Sequence, residues 1–395
     1  MKLLLLTFYY PPDLSAGSFR AKALVEALHQ AAGDLHVDVM TTMPNRYYSH
    51  TTQAKALEQD TGVTIHRIPL PSHRSGMADQ SRTFAAFARA VLGKTRGCKW
   101  DVVVATSSRL MTAALGAWIA RRIRVPLYLD IRDLFADTMA DLLSGSFLKR
   151  VLPAFRTLER WTLRSAARVN LISAGFLPYA RQVAPQHNYR LFTNGIDDDF
   201  LSFDFSDGVR DTGLPPRVVY AGNMGEGQGL HYVLPEAARL LEGKARFRLI
   251  GDGGCRRQLK KVLADAVVSN VEIFDPVPRS HLFGHYREAD VLFLHLNNHA
   301  AFQKVLPSKI FEYVATGKPI LAGVAGYAAS FLEKEVEGVA VFSPCDPQGL
   351  ADALNRLLKI SGPFDREQFT HKFARRQIMR EMAQDILALG DGNVE

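Results

Sequence analysis

Residues 217–229 have the sequence RVVYAGNMGEGQG, in which a short apolar run passes directly into a loop with four glycines. The run predicts a buried strand, and the residues after the loop have the periodicity of a helix. Glycines at a strand-to-helix turn let backbone amides approach a phosphate closely, although such turns also occur for purely structural reasons. The spacing excludes a GxGxxG dinucleotide fingerprint and a GxxxxGK[ST] P-loop.

A second glycine-rich turn, Gly-Asp-Gly-Gly, occupies residues 251–254. It lies between a strand predicted at 247–250 and a basic helix that begins near Arg256. Because the carboxyl ends of parallel strands share one edge of a sheet, both turns are expected at that edge. Helix N-termini there present unpaired N–H groups to anions. The two turns together predict a phosphate- or nucleotide-binding rim.

Short apolar runs alternate with helical patterns along the whole chain, which predicts parallel sheets covered by helices. The first series of strands is predicted at residues 2–8, 37–43, 63–68, 102–106, 127–131 and 169–173. A second series is predicted at 217–221, 247–250, 271–274, 291–294, 319–322 and 339–342. This pattern predicts an α/β fold with two doubly wound domains, residues 1–194 and residues 195–367. The last helical stretch, 368–389, is expected to complete the first domain.

The chain opens with MKLLLL, an apolar run too short for a membrane span and lacking a small-residue cleavage site. It is predicted to be a buried first strand rather than a secretion signal. Three scattered cysteines, Cys98, Cys255 and Cys345, argue against a disulfide framework or a zinc cluster. The composition, 47% hydrophobic and 22% charged, excludes a disordered chain. A cytoplasmic protein is expected.

Positive charge is concentrated in the first half of the chain. The first 190 residues hold 25 Lys and Arg against 13 Asp and Glu, whereas the rest hold 23 and 27. The densest stretch is 147–168, where Arg156, Arg160, Arg164 and Arg168 alternate with apolar residues at helical spacing. Such a basic amphipathic helix is either a surface helix with one core face or a peripheral attachment to anionic lipid headgroups. Nucleic-acid binding is disfavoured because no recognition module accompanies the charge.

Residues 306–319, LPSKIFEYVATGKP, form the most specific segment of the chain. Pro307 and Ser308 predict the start of a helix, and a glycine and a proline predict its end. Glu312, one turn into the helix, is placed to accept both hydroxyls of a ribose, while the N-terminal amides and Lys309 face a diphosphate. In the alternative structural interpretation, Glu312 only complements the helix dipole and Lys309 is solvated.

Taken together, these stretches resemble the GT-B retaining glycosyltransferases of family 4. Four stretches resemble the donor domain of that family. They are the GNxG loop (residues 222–229), LIGDG at 249–253, FDPVPRSHLFGHYREADVLF at 274–293 and LPSKIFEYVATGKPILA at 306–322. LLLTFYYPPDLSAGSFRAKALVEAL at 4–28 resembles the family's opening strand, glycine loop and helix, and FTNGID at 192–197 its NGxD junction. The GNxG and PSKIFEY forms resemble the branch of N-acetylfucosaminyl- and other bacterial surface-polysaccharide transferases.

The resemblance implies roles for individual residues. Glu312 matches the second glutamate of the family's EX7E motif, which binds the ribose, whereas the first glutamate falls on Lys304. The Arg and Lys that commonly neutralise the diphosphate fall on Asn223 and Gln228. A leaving diphosphate needs compensating charge, so Lys304 and Lys309 are expected to act as catalytic cations. The donor-binding residues that the resemblance implies are Gly17, Gly222, Asn223, Gly225, Gly251, Val277, Pro307, Ser308, Lys309 and Glu312.

The resemblance also assigns residues near the acceptor. Arg132 and Asp133 fall where many members place a His-Asp pair beside the reacting sugar, so Asp133 is a candidate catalytic residue. Arg132, with Arg156, Arg160 and Arg164 of the basic helix, is a candidate acceptor or membrane contact. Among the twelve dispersed histidines, His295 and His299 near the donor helix could line the cleft. No paired-ligand spacing occurs, so neither a metal nor another cofactor is expected.

The function implied is transfer of a sugar, such as an N-acetylated or 6-deoxy hexose, from a UDP-linked donor with retention of configuration. The implied architecture is two Rossmann-like domains facing a cleft. A glycan or polyprenyl-diphosphate-linked acceptor of cell-surface polysaccharide or lipopolysaccharide synthesis is expected, with peripheral contact to the cytoplasmic face of the inner membrane. Two alternatives remain: a UDP-sugar 2-epimerase of the same architecture, and a catalytically silent nucleotide-sugar-binding partner.

Overall fold

The computed structural model describes residues 1–13, 15–44, 54–71, 77–107, 109–142, 146–206, 213–360 and 364–390. Its contacts divide the chain into two compact units. Unit 1 comprises residues 1–194 and the residues from 376 onward, and unit 2 comprises residues 195–375. No helix in the described parts of the chain is both long and apolar enough to span a bilayer.

Unit 1 is built on a mostly parallel sheet. Its strands are β1 (Lys2–Leu6), β2 (His36–Thr42), β3 (Leu57–Asp60), β4 (Val63–Ile68), β5 (Val102–Thr106), β6 (Leu127–Ile131) and β7 (Arg168–Leu171). Its first helices are α1 (Ala16–Ala31), α2 (Met77–Lys94), α3 (Leu110–Ile123), α4 (Phe135–Leu142), α5 (Ser146–Arg164) and α6 (Leu177–Val183). Within the described residues the strand order is β3-β4-β2-β1-β5-β6-β7, and only β3 is antiparallel to its neighbour. Without the edge strand β3 this is the order 3-2-1-4-5-6 of a Rossmann sheet.

Unit 2 repeats that topology. Its strands are β8 (Arg217–Ala221), β9 (Arg246–Ile250), β10 (Val271–Phe274), β11 (Val291–His295), β12 (Ile320–Gly323) and β13 (Val339–Phe342). Its helices are α7 (Asp198–Ser202), α8 (Leu230–Leu240), α9 (Arg256–Asp265), α10 (Arg279–Arg287), α11 (Lys309–Ala315), α12 (Tyr327–Glu335), α13 (Pro347–Leu357) and α14 (Glu367–Lys372). The sheet order of the described strands is β10-β9-β8-β11-β12-β13 and every pairing is parallel. The predicted α/β fold with two doubly wound units is confirmed.

The buried strands follow from the apolar runs that predicted them. In β1, Leu3 to Leu6 are fully buried between β2 and β5, so the opening MKLLLL is a central strand of the sheet. In unit 2, one apolar cluster joins β8, β9 and β11 to the inner faces of α8 and α13. Burial of such side chains contributes about 1.5–3 kcal/mol each relative to exposure.

Two predicted elements differ from the structure. The single helix predicted at 368–389 is α14 followed by α15 (Arg375–Gly390), and the residues up to 375 belong to unit 2. The helix is interrupted because Ile196 pairs with this segment. Its N–H donates to the Phe373 carbonyl, and its carbonyl accepts from the Arg375 N–H, each at 2.8 Å. The predicted basic helix ends at Arg164, and Arg168 instead begins β7, where its guanidinium donates to Asp385 at 2.7 Å.

Candidate active site

The candidate site of unit 2 lies at the switch point of its sheet. Strands β8 and β11 are neighbours, but the chain continues from them to opposite sides of the sheet, to β9 and to β12. In open α/β sheets, ligands bind in the crevice that this reversal leaves beyond the carboxyl ends of the strands. The predicted donor residues of unit 2 all lie on this edge, in the loops after β8, β9, β10 and β11 or in the first turn of α11.

The two glycine-rich loops are joined to each other. The Met224 N–H donates to the Asp252 carbonyl at 2.8 Å, and the Cys255 N–H donates back to the Met224 carbonyl at 2.9 Å. Gly251 has φ +146°, and a Cβ there would lie 1.9 Å from the Gly222 carbonyl oxygen. No other residue fits this position, so contact between the loops is one reason for the glycine at 251.

Lys309 and Glu312 form an ion pair in the first turn of α11. The Lys309 Nζ lies 2.6 Å from Glu312 Oε2 and donates to the Tyr286 hydroxyl at 3.3 Å. The Lys309 Cε is 3.7 Å from where a Cβ of Gly222 would stand, so the side chain lies against the GNxG loop. Tyr313 fixes the helix there, because its hydroxyl accepts the Ala221 N–H at the end of β8. The predicted pair of residues is thus held at the carboxyl end of the central strand.

Asn223 and Gln228, where the resemblance would place a cation pair, are bonded to each other. The Asn223 Nδ2 donates to Gln228 Oε1 at 2.6 Å, and the Gly225 N–H donates to the same oxygen at 3.3 Å. This neutral bridge closes the GNxG loop on itself. Lys309 brings a positive charge to this loop. The other predicted cation, Lys304, is the last residue of a 3-10 turn (Ala300–Lys304) that precedes α11.

His295 does not line a cleft, contrary to expectation, since it is 2% exposed. Its Nε2 accepts the Cys345 N–H at 2.9 Å, so its Nδ1 carries the proton and donates to the Gln228 carbonyl at 2.6 Å. Burial lowers the pKa of His295 to about 4, which keeps the ring neutral. The residue therefore anchors the end of the GNxG loop to the loop after β13.

We expect this histidine to make the fold acid-sensitive. The folded pKa of His295, about 4, lies below the ordinary value of 6.5. The neutral ring therefore stabilises the folded protein fully above pH 7, and this stabilisation is lost as the pH falls from 6.5 towards 4. At pH 5 the loss amounts to about 2 kcal/mol of unfolding free energy. Urea unfolding at pH 7.5 and pH 5 should give a smaller difference for His295→Asn than for the wild type. Equal differences would contradict this role.

In unit 1 the switch point lies between β1 and β5. A Cβ at Gly17 would stand 2.0 Å from an Arg132 guanidinium nitrogen, so the two predicted residues are in direct contact. The Arg132 N–H donates to Ser107 Oγ at 3.0 Å. The start of α1 and the loops after β5 and β6 thus meet around Arg132, at the edge where ligands of such sheets bind.

The two aspartates after Tyr128 have different environments. Asp130 is fully buried, and both of its oxygens accept from the Arg20 guanidinium, at 2.8 and 2.9 Å. It is a structural anchor between β6 and α1. Asp133 is exposed at the start of the following loop, so the proposed catalytic carboxylate has solvent access.

The remaining predicted residues lie in the loop after β10 and on α5. Val277 is half-buried in the loop after β10. Arg156, Arg160 and Arg164 are exposed on α5, whereas Glu159 of the same helix is buried.

Sequence reasoning missed one residue at the unit 1 edge. The guanidinium of Arg109 lies over the Phe8 ring, 4.1 Å from its centroid, and donates to the Tyr9 hydroxyl at 3.4 Å. No motif marks this arginine.

Comparison with known proteins supports the architecture. The family profile described as "Glycosyl transferase 4-like domain" matches residues 17–195, and the profile "Glycosyl transferases group 1" matches residues 215–359. WcaI of Escherichia coli (strain K12), a glycosyl transferase assigned to colanic acid biosynthesis, is 25% identical over 98% of this chain and 100% of its own.

Solved structures show the same fold at low identity. Sucrose-phosphate synthase from Thermosynechococcus elongatus superposes with a TM-score of 0.69 at 17% identity, over 99% of this chain and 97% of its own. Anabaena HepE, solved in complex with UDP-glucose, superposes with a TM-score of 0.62 at 16% identity, over 100% of this chain and 97% of its own. The two profiles together match most of the sequence, in the order and at the positions of units 1 and 2. The chain therefore belongs to the GT-B glycosyltransferases, with a family 4-like domain followed by a group 1 domain.

Proposed function

We propose that this glycosyltransferase moves a hexosyl group, N-acetylated or 6-deoxy, from a UDP-linked donor to a glycan or polyprenyl-diphosphate-linked acceptor of cell-surface polysaccharide synthesis, with retention. The relative WcaI is assigned to colanic acid biosynthesis, and HepE was solved with UDP-glucose. The observation that carries the proposal is the Lys309–Glu312 pair fixed against Gly222 at the switch point.

In the proposed reaction, Glu312 accepts the ribose hydroxyls and Lys309 compensates the charge of the departing diphosphate. The pair is only partly exposed, with 28% and 14% of the side chains accessible, so its charges act in a medium less screening than water. A diphosphate oxygen takes the proton of the acceptor hydroxyl as that hydroxyl attacks on the face from which UDP leaves. Lysine side chains, rather than a metal ion, neutralise the leaving group in this scheme.

The proposal is tested by incubating the purified protein with a set of UDP-sugars and a polyprenyl-diphosphate-linked acceptor. Acceptor-dependent release of UDP, with an α-linked product from an α-linked donor, is the expected outcome. An isomeric UDP-sugar formed without acceptor would instead identify an epimerase. Donor binding without turnover, across the set of UDP-sugars, would identify a silent binding partner.

The same proposal includes contact of α5 with the cytoplasmic face of the membrane. Arg156, Arg160 and Arg164 are exposed on one helix, and each Lys or Arg near an anionic bilayer contributes about 1 kcal/mol to binding. Changing all three to Glu should therefore reduce flotation with phosphatidylglycerol liposomes at least tenfold at physiological salt.

A matched control variant lies on α9 of unit 2. Arg257, Lys260 and Lys261 are exposed, and changing them to Glu alters the net charge by the same amount. This variant should float like the wild type. If both variants lose flotation equally, the membrane binding depends on net charge and not on α5. If the α5 variant floats like the wild type, α5 does not contact the membrane.

A further inference from the structure

Three side chains that bind metals in other proteins converge beside the GNxG loop. Glu226 lies in that loop, His231 in the first turn of α8, and Cys255 directly after the second glycine-rich loop. Their ligand atoms all lie within 4.8 Å of one another. The residues are spread over thirty positions with no recognisable spacing, so the sequence does not reveal this cluster.

Two of the three distances in the cluster match the edges of a small coordination tetrahedron. The Glu226 Oε2 lies 3.5 Å from His231 Nε2 and 3.5 Å from Cys255 Sγ. A tetrahedral zinc ion, with oxygen and nitrogen at ~2.0 Å and sulfur at ~2.3 Å, separates its ligand atoms by about 3.3 to 3.6 Å. The third pair, His231 Nε2 and Cys255 Sγ, lies within 4.8 Å, so side-chain movements of about 1 Å bring all three atoms to one ion.

His231 is the observation that points to a ligand. The residue is 5% exposed, and its buried Nε2 makes no hydrogen bond to any residue that the structure describes. A buried polar nitrogen without a hydrogen bond costs about 1–3 kcal/mol. A metal ion at the centre of the cluster would satisfy this nitrogen.

Glu226 is oriented for such a role by its neighbours. Its Oε1 accepts from the Tyr232 hydroxyl at 3.0 Å and from Asn297 Nδ2 at 3.2 Å. These bonds leave Oε2 directed at His231 and Cys255, as partners of metal-binding carboxylates typically do. The Glu226 side chain is 43% exposed, so an ion has an entry path and room for a water ligand.

We propose that Glu226, His231 and Cys255 bind a zinc ion that links the two glycine-rich loops. A mixed nitrogen, oxygen and sulfur set with one open position suits Zn²⁺. Burial raises the pKa of the Cys255 thiol, with a further increase from its hydrogen bond to Glu226, and burial lowers the pKa of His231. The ion therefore meets a neutral imidazole, and it forms the sulfur–zinc bond by displacing the thiol proton to the buffer.

The test uses Co²⁺ as a spectroscopic probe on the full-length protein, without any sugar donor. Binding of one Co²⁺ per chain should produce a thiolate-to-cobalt charge-transfer band that Zn²⁺ abolishes. Cys255→Ser should remove the band and weaken Zn²⁺ binding by more than about 100-fold. Tyr232→Phe keeps all three ligands and should weaken Zn²⁺ binding by about tenfold. Zn²⁺ should raise the unfolding temperature of the wild type and not that of Cys255→Ser.

Cys98→Ser removes a half-buried thiol of unit 1 and should leave the band unchanged. A wild-type protein without the band, or a band that survives in Cys255→Ser, would overturn the proposal. Since circular dichroism checks the fold of each variant and no readout involves turnover, the result is independent of the proposed transferase activity.

Discussion

Replacing Arg20 by alanine should lower the free energy of unfolding by about 3–5 kcal/mol, because it leaves a fully buried carboxylate uncompensated. The Arg20 guanidinium binds both oxygens of Asp130 and also donates to the carbonyls of Phe192 and Thr193, at 2.8 and 2.7 Å. One side chain of α1 thereby ties together β6 and the last segment of unit 1. Denaturant unfolding with matched probes measures the change.

Lys22 provides the control on the same helix. Its ion pair with Glu26 is 3.4 Å long and more than half exposed, so Lys22→Ala should cost less than about 1 kcal/mol. Combining Arg20→Met with Asp130→Leu should recover part of the loss, since no buried charge is then unpaired. If Arg20→Ala and Lys22→Ala have the same midpoint of denaturant unfolding, the buried Arg20–Asp130 pair does not stabilise the fold.

The same pair has a defined pH dependence. Burial alone would raise the pKa of Asp130, but the charge and hydrogen bonds of Arg20, with a bond from Asn170, outweigh it and hold the pKa below its ordinary value. The stabilisation is therefore complete above about pH 4 and is lost as the pH falls through the depressed folded value.

Much of the fold was predictable because its signals are local. Strands β5, β6 and β8 have the predicted limits, since each is a mostly apolar run bounded by polar or turn residues. The edge strand β3, with the sequence LEQD, has no apolar pattern and forms by antiparallel pairing with β4, so no local signal predicts it. The break before α15 likewise depends on a distant partner, Ile196.

From spacing alone, residues of the candidate site could be brought together only where they are neighbours in sequence. Lys309 and Glu312 are three residues apart in one helical turn, and the structure pairs them. By contrast, Arg20 and Asp130 are 110 residues apart, and the Asp130 carboxylate could not be assigned from sequence. The contact of Gly17 with Arg132 likewise joins distant segments, the start of α1 and the loop after β6, although the resemblance had singled out both residues.

Replacing Glu312 by alanine should weaken UDP binding by about 10- to 100-fold, because a hydrogen-bonded charged group contributes about 1.5–3 kcal/mol. The helix should persist, since its neighbours Ile310, Phe311 and Tyr313 remain buried. Isothermal titration with UDP measures the effect. Glu312→Gln keeps the shape of the side chain but not its charge, so its UDP affinity should lie between those of Glu312→Ala and the wild type. Glu333 is an exposed acid on α12, and Glu333→Ala should bind UDP like the wild type.

A double-mutant cycle with Lys309→Met separates two ways in which Glu312 could act. If Glu312 contacts the ribose itself, its loss should weaken UDP binding in the Lys309→Met background as well as in the wild type. If it only holds Lys309 through the 2.6 Å ion pair, its loss should have no effect once Lys309 is gone. The proposed nucleotide site predicts the first result, because a lysine and a carboxylate on one turn serve different parts of the nucleotide. Unchanged affinity in both backgrounds would remove α11 from the donor site.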